Sequence, residues 1–454
     1  MTIFCLSGYT KSNNRYFLIS INSYAYNGQQ ATTPTTTATM PTTPTATTLS
    51  DQQQTQQQHE YELSCDLIEQ KQLMLERKVG LNLFNKHPPE RGIQFLIDNN
   101  FIEKGKDLEA NVANFLLTRK GLSKQMIGEY LGNLQNHFNQ CVLKHFVAQL
   151  DFTSLQIDLA LRKFQTHFRF PGEAQKIEKI VDLFACRYYE CNLNMKHVIY
   201  NCRKHEENSN EALTRDEIFI LSFAIIMLNT DLHVPQNKQR MTSQQWIKNL
   251  RGVFQGGDLK DKFLLDIYER VKNNELKTGA DHCSHVYKVQ QSLVSNKVLP
   301  NLCVTWRRLV CFCRLYEIRD LSKKDSHKHQ REIFLFNDLL LVTKISKKST
   351  SSIQYQYRQS IPLAGLTVTL FSTPIYAYGI KLSDKMDERV ILLLNARNDI
   401  DRFKFVEDLR ESILEMKEME IQRIHGNANK SNSLLDLNNQ SGLSHIFALS
   451  FLVS

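Results

Sequence analysis

The side chain best placed to do chemistry is Glu173, in the run FRFPGEAQKIEKIVDLFACRYYE over residues 168–190. Ile177, Ile180, Val181, Phe184 and Tyr188 form one apolar stripe at helical spacing. Glu173 stands four residues before Ile177, where a carboxylate would continue a stripe meant for the core. Two readings are open. Pro171 suits a helix start, and an acid in the first turn gains about 0.3–1 kcal/mol from the helix dipole. Alternatively, the charge is there to act on something outside the fold. A second cluster, DHCSH, gathers Asp281, His282, Cys283 and His285. No further pair at zinc spacing accompanies it, so it reads as an accident of a linker, and neither a metal nor a cofactor is expected. Cys311 and Cys313 alternate with Phe312 and read as strand core.

These residues need elements to hold them. Residues 28–58 are a Gln, Thr, Pro and Ala tract with too little apolar bulk to offset ordering entropy, and 1–60 is read as disordered. From 61 to 276 the pattern is helical almost throughout. ANVANFLLTRKGLSKQMIGEYLGN gives two short helices broken at Gly121-Leu122-Ser123, with Ser123 as the N-cap, and TSLQIDLALRKFQTHF gives another. DEIFILSFAIIMLNTDLHVP, residues 216–235, contains a helix with hardly any polar face, which is either wholly buried or partly open as a binding groove. Asn229, Thr230 and Asp231 are expected to end it and Pro235 to prevent its return. After a linker over 277–300, seven short runs rich in β-branched and aromatic residues fall within 301–424, followed by a helix with Phe403, Val406, Leu409, Ile413 and Met416 on one face. The fold class is multidomain: an all-α domain, then a seven-stranded β-barrel or sandwich closed by a C-terminal helix, then a disordered tail over 425–454.

Composition narrows the classes. A chain of 454 residues with 42% hydrophobic and 23% charged residues suits a soluble protein of two or three domains. Its ten cysteines are scattered and read as reduced thiols, pointing to the cytoplasm. The longest apolar run, Ile218 to Leu228, falls well short of the ~20 residues a membrane span needs, and no signal peptide is expected, so any membrane contact is peripheral.

FPGEAQKIEKIVDLFACRYYE followed about 45 residues later by ILSFAIIMLNTDLHVP resembles the exchange module of Arf guanine-nucleotide exchange factors, the Sec-seven domain. VGLNLFNKHPPERGIQFLIDNNFI, GLSKQMIGEYLGN and YERVKNNELKT are similar to its BRAG or IQSEC subfamily, and the second half resembles the pleckstrin homology domain that follows there. The resemblance spans about residues 79–424. It implies that Glu173 is the exchange residue, that Gly172, Ala174 and Gln175 flank it against the GTPase, and that Asp216, Phe223, Ile226, Met227, Asn229, Thr230, Asp231 and His233 form the groove for the GTPase switch regions. A carboxylate pushed into a nucleotide site repels the β-phosphate, disfavours magnesium and offers the phosphate-binding lysine a replacement anion. The chain departs from the pattern of many members at Val234, where they carry Asn. The subfamily's calmodulin-binding IQ motif has no counterpart before residue 79, and calmodulin is not expected as a partner.

Charge is concentrated in the β-rich part. Asn301–Arg358 holds 12 Lys/Arg against 5 Asp/Glu, within a chain of net +9. Lys323, Lys324, Lys328, Arg331, Lys344, Lys347, Lys348 and Arg358 are either solvated loop charges or, as the pleckstrin homology likeness implies, a site for an anionic phosphoinositide headgroup. No recognition helix or stacking motif accompanies them, which excludes nucleic acid. The expected function is exchange of GDP for GTP on an Arf-family GTPase at membranes, without covalent chemistry. The alternative is a non-catalytic phosphoinositide-binding scaffold that docks GTPases.

Overall fold

The computed structural model describes residues 4–5, 66, 68–193, 202, 212–255, 257–296, 298–323, 329–348 and 353–450. The Gln- and Thr-rich tract and the rest of 6–60 lie outside the described residues, as do Lys324 and Lys328.

The helical half begins with α1 over 68–85 and continues through α2 (Glu90–Asp98), α3 (Leu108–Thr118), α4 (Lys124–Leu131), α5 (His137–Ala148), α6 (Ile157–Gln165), α7 (Ala174–Asn192), α8 (Arg215–His233), α9 (Ser243–Asn249) and α10 (Asp261–Asn273). Their apolar faces meet in one core, whose centre is a run of aromatic rings: Phe164 stacks on Phe184 at 5.2 Å and meets Phe168 edge-on at 4.9 Å. Ser123 is the N-cap residue of α4, but its hydroxyl does not cap. Its backbone N–H donates to Asn85 Oδ1, and the Lys124 N–H is taken by Asp281 Oδ2 at 3.0 Å. Buried Asp158 is forked by Arg270 at 2.8 Å on both oxygens, tying α6 to α10.

The region 277–300, read as linker, holds α11 (Cys283–Ser292) and a two-residue strand, β2 (Leu293–Val294). Val286, Val289 and Leu293 pack with Phe334, Phe336 and Leu341 on the outer face of the sheet, which gives this segment a folded conformation. All seven expected strands form: β3 (Leu309–Glu317), β4 (Gln330–Phe336), β5 (Leu339–Lys348), β6 (Ile353–Pro362), β7 (Leu366–Phe371), β8 (Gly379–Asp384) and β9 (Val390–Asn395). They join in the order β2-β6-β5-β4-β3-β9-β8-β7, with a short β1 (Phe4–Cys5) paired to β3. Cys311 and Cys313 are buried in the inner core, as the alternation implies.

The last helix, α12 (Asp399–Ser450), fills that core with Phe405, Val406 and Leu409. Phe403 is not on this face: at 100° per residue it points about 120° away from the centre of the buried stripe, and it is exposed. The helix also continues past residue 424, where a disordered tail was expected, because no proline interrupts residues 399–450.

Helical and sheet halves meet through a buried node. Arg308, just before β3, forks Glu415 of α12 at 2.9 and 2.6 Å, and Asn82 of α1 donates to the same carboxylate. Glu415 is fully buried, so its charge depends on both partners.

Candidate functional site

Glu173 is the N-cap residue of α7, with extended backbone at φ −93° and ψ 129°. The helix therefore starts one residue later, and the carboxylate does not continue the buried stripe; it leaves the helix end and is 69% exposed. Its side chain makes no capping hydrogen bond, so none of the free N–H groups at the helix start claims the carboxylate. It rests instead on Lys176 Nζ at 2.8 Å, while Glu129 approaches the same ammonium at 3.8 Å. The bond from Glu173 raises the Lys176 pKa. Lys176 is a neighbour the sequence reading missed, although its i,i+3 spacing from Glu173 was there to find.

The loop carrying Glu173 is clamped from behind. Arg169 N–H donates to the Lys124 carbonyl at 2.8 Å, and Gly128 lets α4 pass so close that a Cβ there would lie 1.8 Å from the Arg169 oxygen. Phe168 and Phe170 anchor the same segment in the aromatic core, with ring centroids 5.3 Å apart. Gly172, Ala174 and Gln175 are exposed beside Glu173. A rigid base thus presents one exposed carboxylate.

Helix α8 packs against α7, and Arg215 at its start pairs with Asp182 of α7 at 2.6 Å. Thr214 and Glu217 close a capping box at that end. Ile218, Leu221, Ile225, Leu228 and Leu232 are buried, but Phe219, Phe223 and Ile226 are only partly covered and Met227 is 57% exposed. The helix is therefore both things the sequence allowed: one face is core, the other an accessible apolar strip. Phe219, which the sequence reading did not select, extends it, with its ring centroid 6.2 Å from that of Phe223.

The polar end of α8 behaves differently from expectation. Asn229 does not stop the helix; its side chain accepts from Leu276 N–H at 2.8 Å and reaches back to the Leu276 carbonyl. Asp231 accepts from Asn237 Nδ2 and from Met241 N–H, and His233 Nε2 donates to the Val271 carbonyl at 2.8 Å. With their side chains committed elsewhere, these residues leave the backbone free to stay helical to His233, and Pro235 ends it. Asn229, Asp231 and His233 thus brace the groove's floor. Asp216 and Thr230 remain exposed.

Asp281, His282 and Cys283 present ligand-capable atoms within 4.8 Å of one another. The cluster is a joint. Asp281 caps two helices at once, taking Lys124 N–H of α4 and Cys283 N–H of α11, and His282 Nε2 donates to the Thr305 carbonyl at 2.8 Å. Burial pushes the Cys283 thiol up to about 12 and the His282 imidazole down.

Comparison with known proteins follows the same division. A Sec7 domain model matches residues 74–276, and a PH domain model of the IQ_SEC7_PH type matches 298–431. The chain carries a Sec7 domain followed by a PH domain. Among curated relatives, the ankyrin repeat, PH and SEC7 domain containing protein secG of Dictyostelium discoideum is 38% identical over 215 residues, which are 47% of this chain and 20% of the relative. The chain thus spans about a fifth of that relative's length. A solved structure of ARF1-GDP bound to a Sec7 domain with brefeldin A is 33% identical, covering 46% of this Sec7–PH chain and 95% of that one, with a TM-score of 0.39. The Sec7p catalytic domain is 33% identical over 43% of this chain and 93% of its own, with a TM-score of 0.37.

In the PH half, Arg331 drops out of the expected lipid site. It is 4% exposed and pairs with Glu317 at 2.5 Å, because its strand position turns it towards the neighbouring strand. Lys323 and Lys344 are exposed, and Arg358 is the extra residue of a β-bulge opposite Val342 and Thr343, which leaves it exposed. Lys347 and Lys348 lie at the end of β5, beside the start of β6. Among the described residues, no helix is long and apolar enough to cross a membrane.

Proposed function

We propose that the chain accelerates GDP release, and hence GTP loading, on an Arf-family GTPase, with Glu173 entering the nucleotide site. The observation that carries this is the exposed, uncapping Glu173 carboxylate on a clamped helix start, next to a helix with an accessible apolar strip. The strip of Phe219, Phe223, Ile226 and Met227 receives the switch regions, and Gly172, Ala174 and Gln175 let the partner approach the carboxylate closely. An exposed ion pair such as Glu173–Lys176 is worth about 0–1 kcal/mol, so Glu173 leaves it readily for a partner's phosphate-binding lysine and magnesium site. ARF1 in complex with a Sec7 domain supports the partner class.

The PH domain recruits the protein peripherally to anionic membranes through Lys323, Lys344 and Arg358, with Lys347 and Lys348 nearby and Lys324 and Lys328 adding charge from the β3–β4 loop. GDP release from a panel of Arf proteins, with the chain and with Glu173→Lys, tests the proposal. The wild type accelerates release from at least one Arf, while the variant stays folded and inactive. Equal release with and without the wild-type chain across the panel overturns exchange activity. Near-normal release by a folded variant overturns the role of Glu173.

A further inference from the structure

Two helices of the joint begin against one cavity. It has a volume of about 550 Å³ and lies between the starts of α4 and α11, its wall completed by Arg169 of the loop that leads to Glu173 and by residues 303–305. Lys124 and Cys283, the first residues of the two helices, both line it. Each helix start carries about half a positive charge from its aligned peptide dipoles. Asp281 is the one acid in the lining, and both of its oxygens are spent on these starts, accepting from the Lys124 and Cys283 N–H groups at 3.0 Å.

Three cations line the same space: Lys124, Arg169 and Lys288. The Lys124 ammonium donates to the Thr166 carbonyl, a neutral partner, and burial lowers its pKa although the Asp281 charge opposes this. Arg169 and Lys288 are exposed, and among the described residues neither side chain has an ion-pair partner. Ser123 is 1% exposed and lines the cavity, yet its hydroxyl has no oxygen or nitrogen partner among the described residues; the Cys283 thiol beside it is a weak one. A buried hydroxyl left in this way costs stability until something bonds to it.

We propose that this cavity binds a small soluble organic phosphate. Its phosphate lies among Lys124, Arg169, Lys288 and the Ser123 hydroxyl, and its organic part fills the remaining volume along Tyr287. A phosphate offers three strong acceptor oxygens and up to two charges to donors that come from three separate segments, whereas a carboxylate offers two oxygens in one plane. The occupant bridges the start of α4, the segment before Glu173 and α11. Its binding does not depend on exchange activity.

The test uses the full chain with Lys344, Lys347, Lys348 and Arg358 changed to Ala, which removes most of the expected headgroup site, and inorganic pyrophosphate as the probe in calorimetry. Pyrophosphate should bind saturably, at a single site per chain, and raise the melting temperature. Arg169→Gln with Lys288→Gln should weaken binding at least about tenfold, since one hydrogen bond to a charged group is worth that much. Lys262→Gln with Lys272→Gln, in exposed cations of α10 that do not line the cavity, makes the same charge change and should leave binding unaltered. Ser123→Ala should weaken binding severalfold without lowering the melting temperature of the free protein. No saturable binding, unaltered binding by Ser123→Ala, or a cavity double variant that binds no worse than the α10 pair overturns the site. Vesicles of phosphatidylcholine containing phosphatidylinositol 4-phosphate should not compete with pyrophosphate. Competition would assign the phosphate to a lipid headgroup and overturn the soluble ligand.

Discussion

Glu173 reaches solvent because it is the first residue outside a helix and has extended backbone, and among the described residues its carboxylate pairs with Lys176. Glu173→Lys should therefore shift the melting temperature by no more than loss of an exposed ion pair allows, while exchange disappears. Met227 gives the complementary case. A buried methionine truncated to alanine loses about 2–5 kcal/mol. Because Met227 is largely exposed, Met227→Ala should cost under about 1 kcal/mol in a denaturant melt and weaken exchange by raising the GTPase concentration needed for half-maximal rate. A large loss of stability with full activity per folded molecule would return Met227 to the core. His282 titrates at the joint. Burial holds its imidazole below the ordinary value near 6.5, so the unfolded chain takes the proton first. Its contribution to stability is complete above about pH 6.5 and is lost as pH falls below that, by up to about 1.4 kcal/mol per pH unit until the folded value is passed. His282→Gln should flatten this part of the stability profile between pH 7 and 5, measured as melting temperature against pH.

At the scale of elements, α4 decides where Glu173 points. Gly128 is not in a strained conformation; it is required because the Arg169 carbonyl lies against it. Gly128→Ala must push the 169–173 loop outward, and overpacking of this kind costs about 1–3 kcal/mol. The expected result is a folded, moderately destabilised protein whose exchange rate falls by more than tenfold, because small displacements of a reactive group are costly. Stopped-flow GDP release beside a thermal melt reads both. Unchanged exchange would show that the loop position tolerates displacement. Helix α8 makes the same point from the other side: its accessible strip stays open because Asn229, Asp231 and His233 use their polar groups to hold the chain beyond it.

For the whole molecule, the Sec7 and PH domains are joined by folded elements. Asn82, Arg308 and Glu415 bring α1, the chain before β3 and α12 to one buried carboxylate, and Asp281 and His282 do the same for α4, α11 and Thr305. Under the proposed function, a membrane contact made by the PH domain constrains the Sec7 domain as well and raises the effective concentration of exchange domain where a lipid-anchored Arf resides. Exchange should be several-fold faster on phosphoinositide vesicles than on neutral ones, and salt should erode the gain. Lys344, Lys347, Lys348 and Arg358 changed together to alanine should remove most of the gain, while solution exchange on Arf lacking its membrane anchor survives. Equal loss in solution would place these cations in GTPase binding or in the fold.

Sequence alone determined the two-domain division, the seven strands and the helix that follows them, because each rests on local periodicity of two or 3.6 residues, and it singled out Glu173 as a charge at odds with its stripe. It also marked α8 as apolar on every side without deciding between core and groove, since periodicity does not say what packs against a face. Tertiary structure decided the rest. Arg331 left the expected lipid site because Glu317, across a strand pair, neutralises it in a buried position. Phe405 took the core position and left Phe403 exposed, because the sheet fixed the rotation of α12. DHCSH became a joint because Lys124, far away in sequence, turned its N–H towards Asp281. In each case the partner is distant along the chain, and only folding brings it within hydrogen-bonding or packing reach.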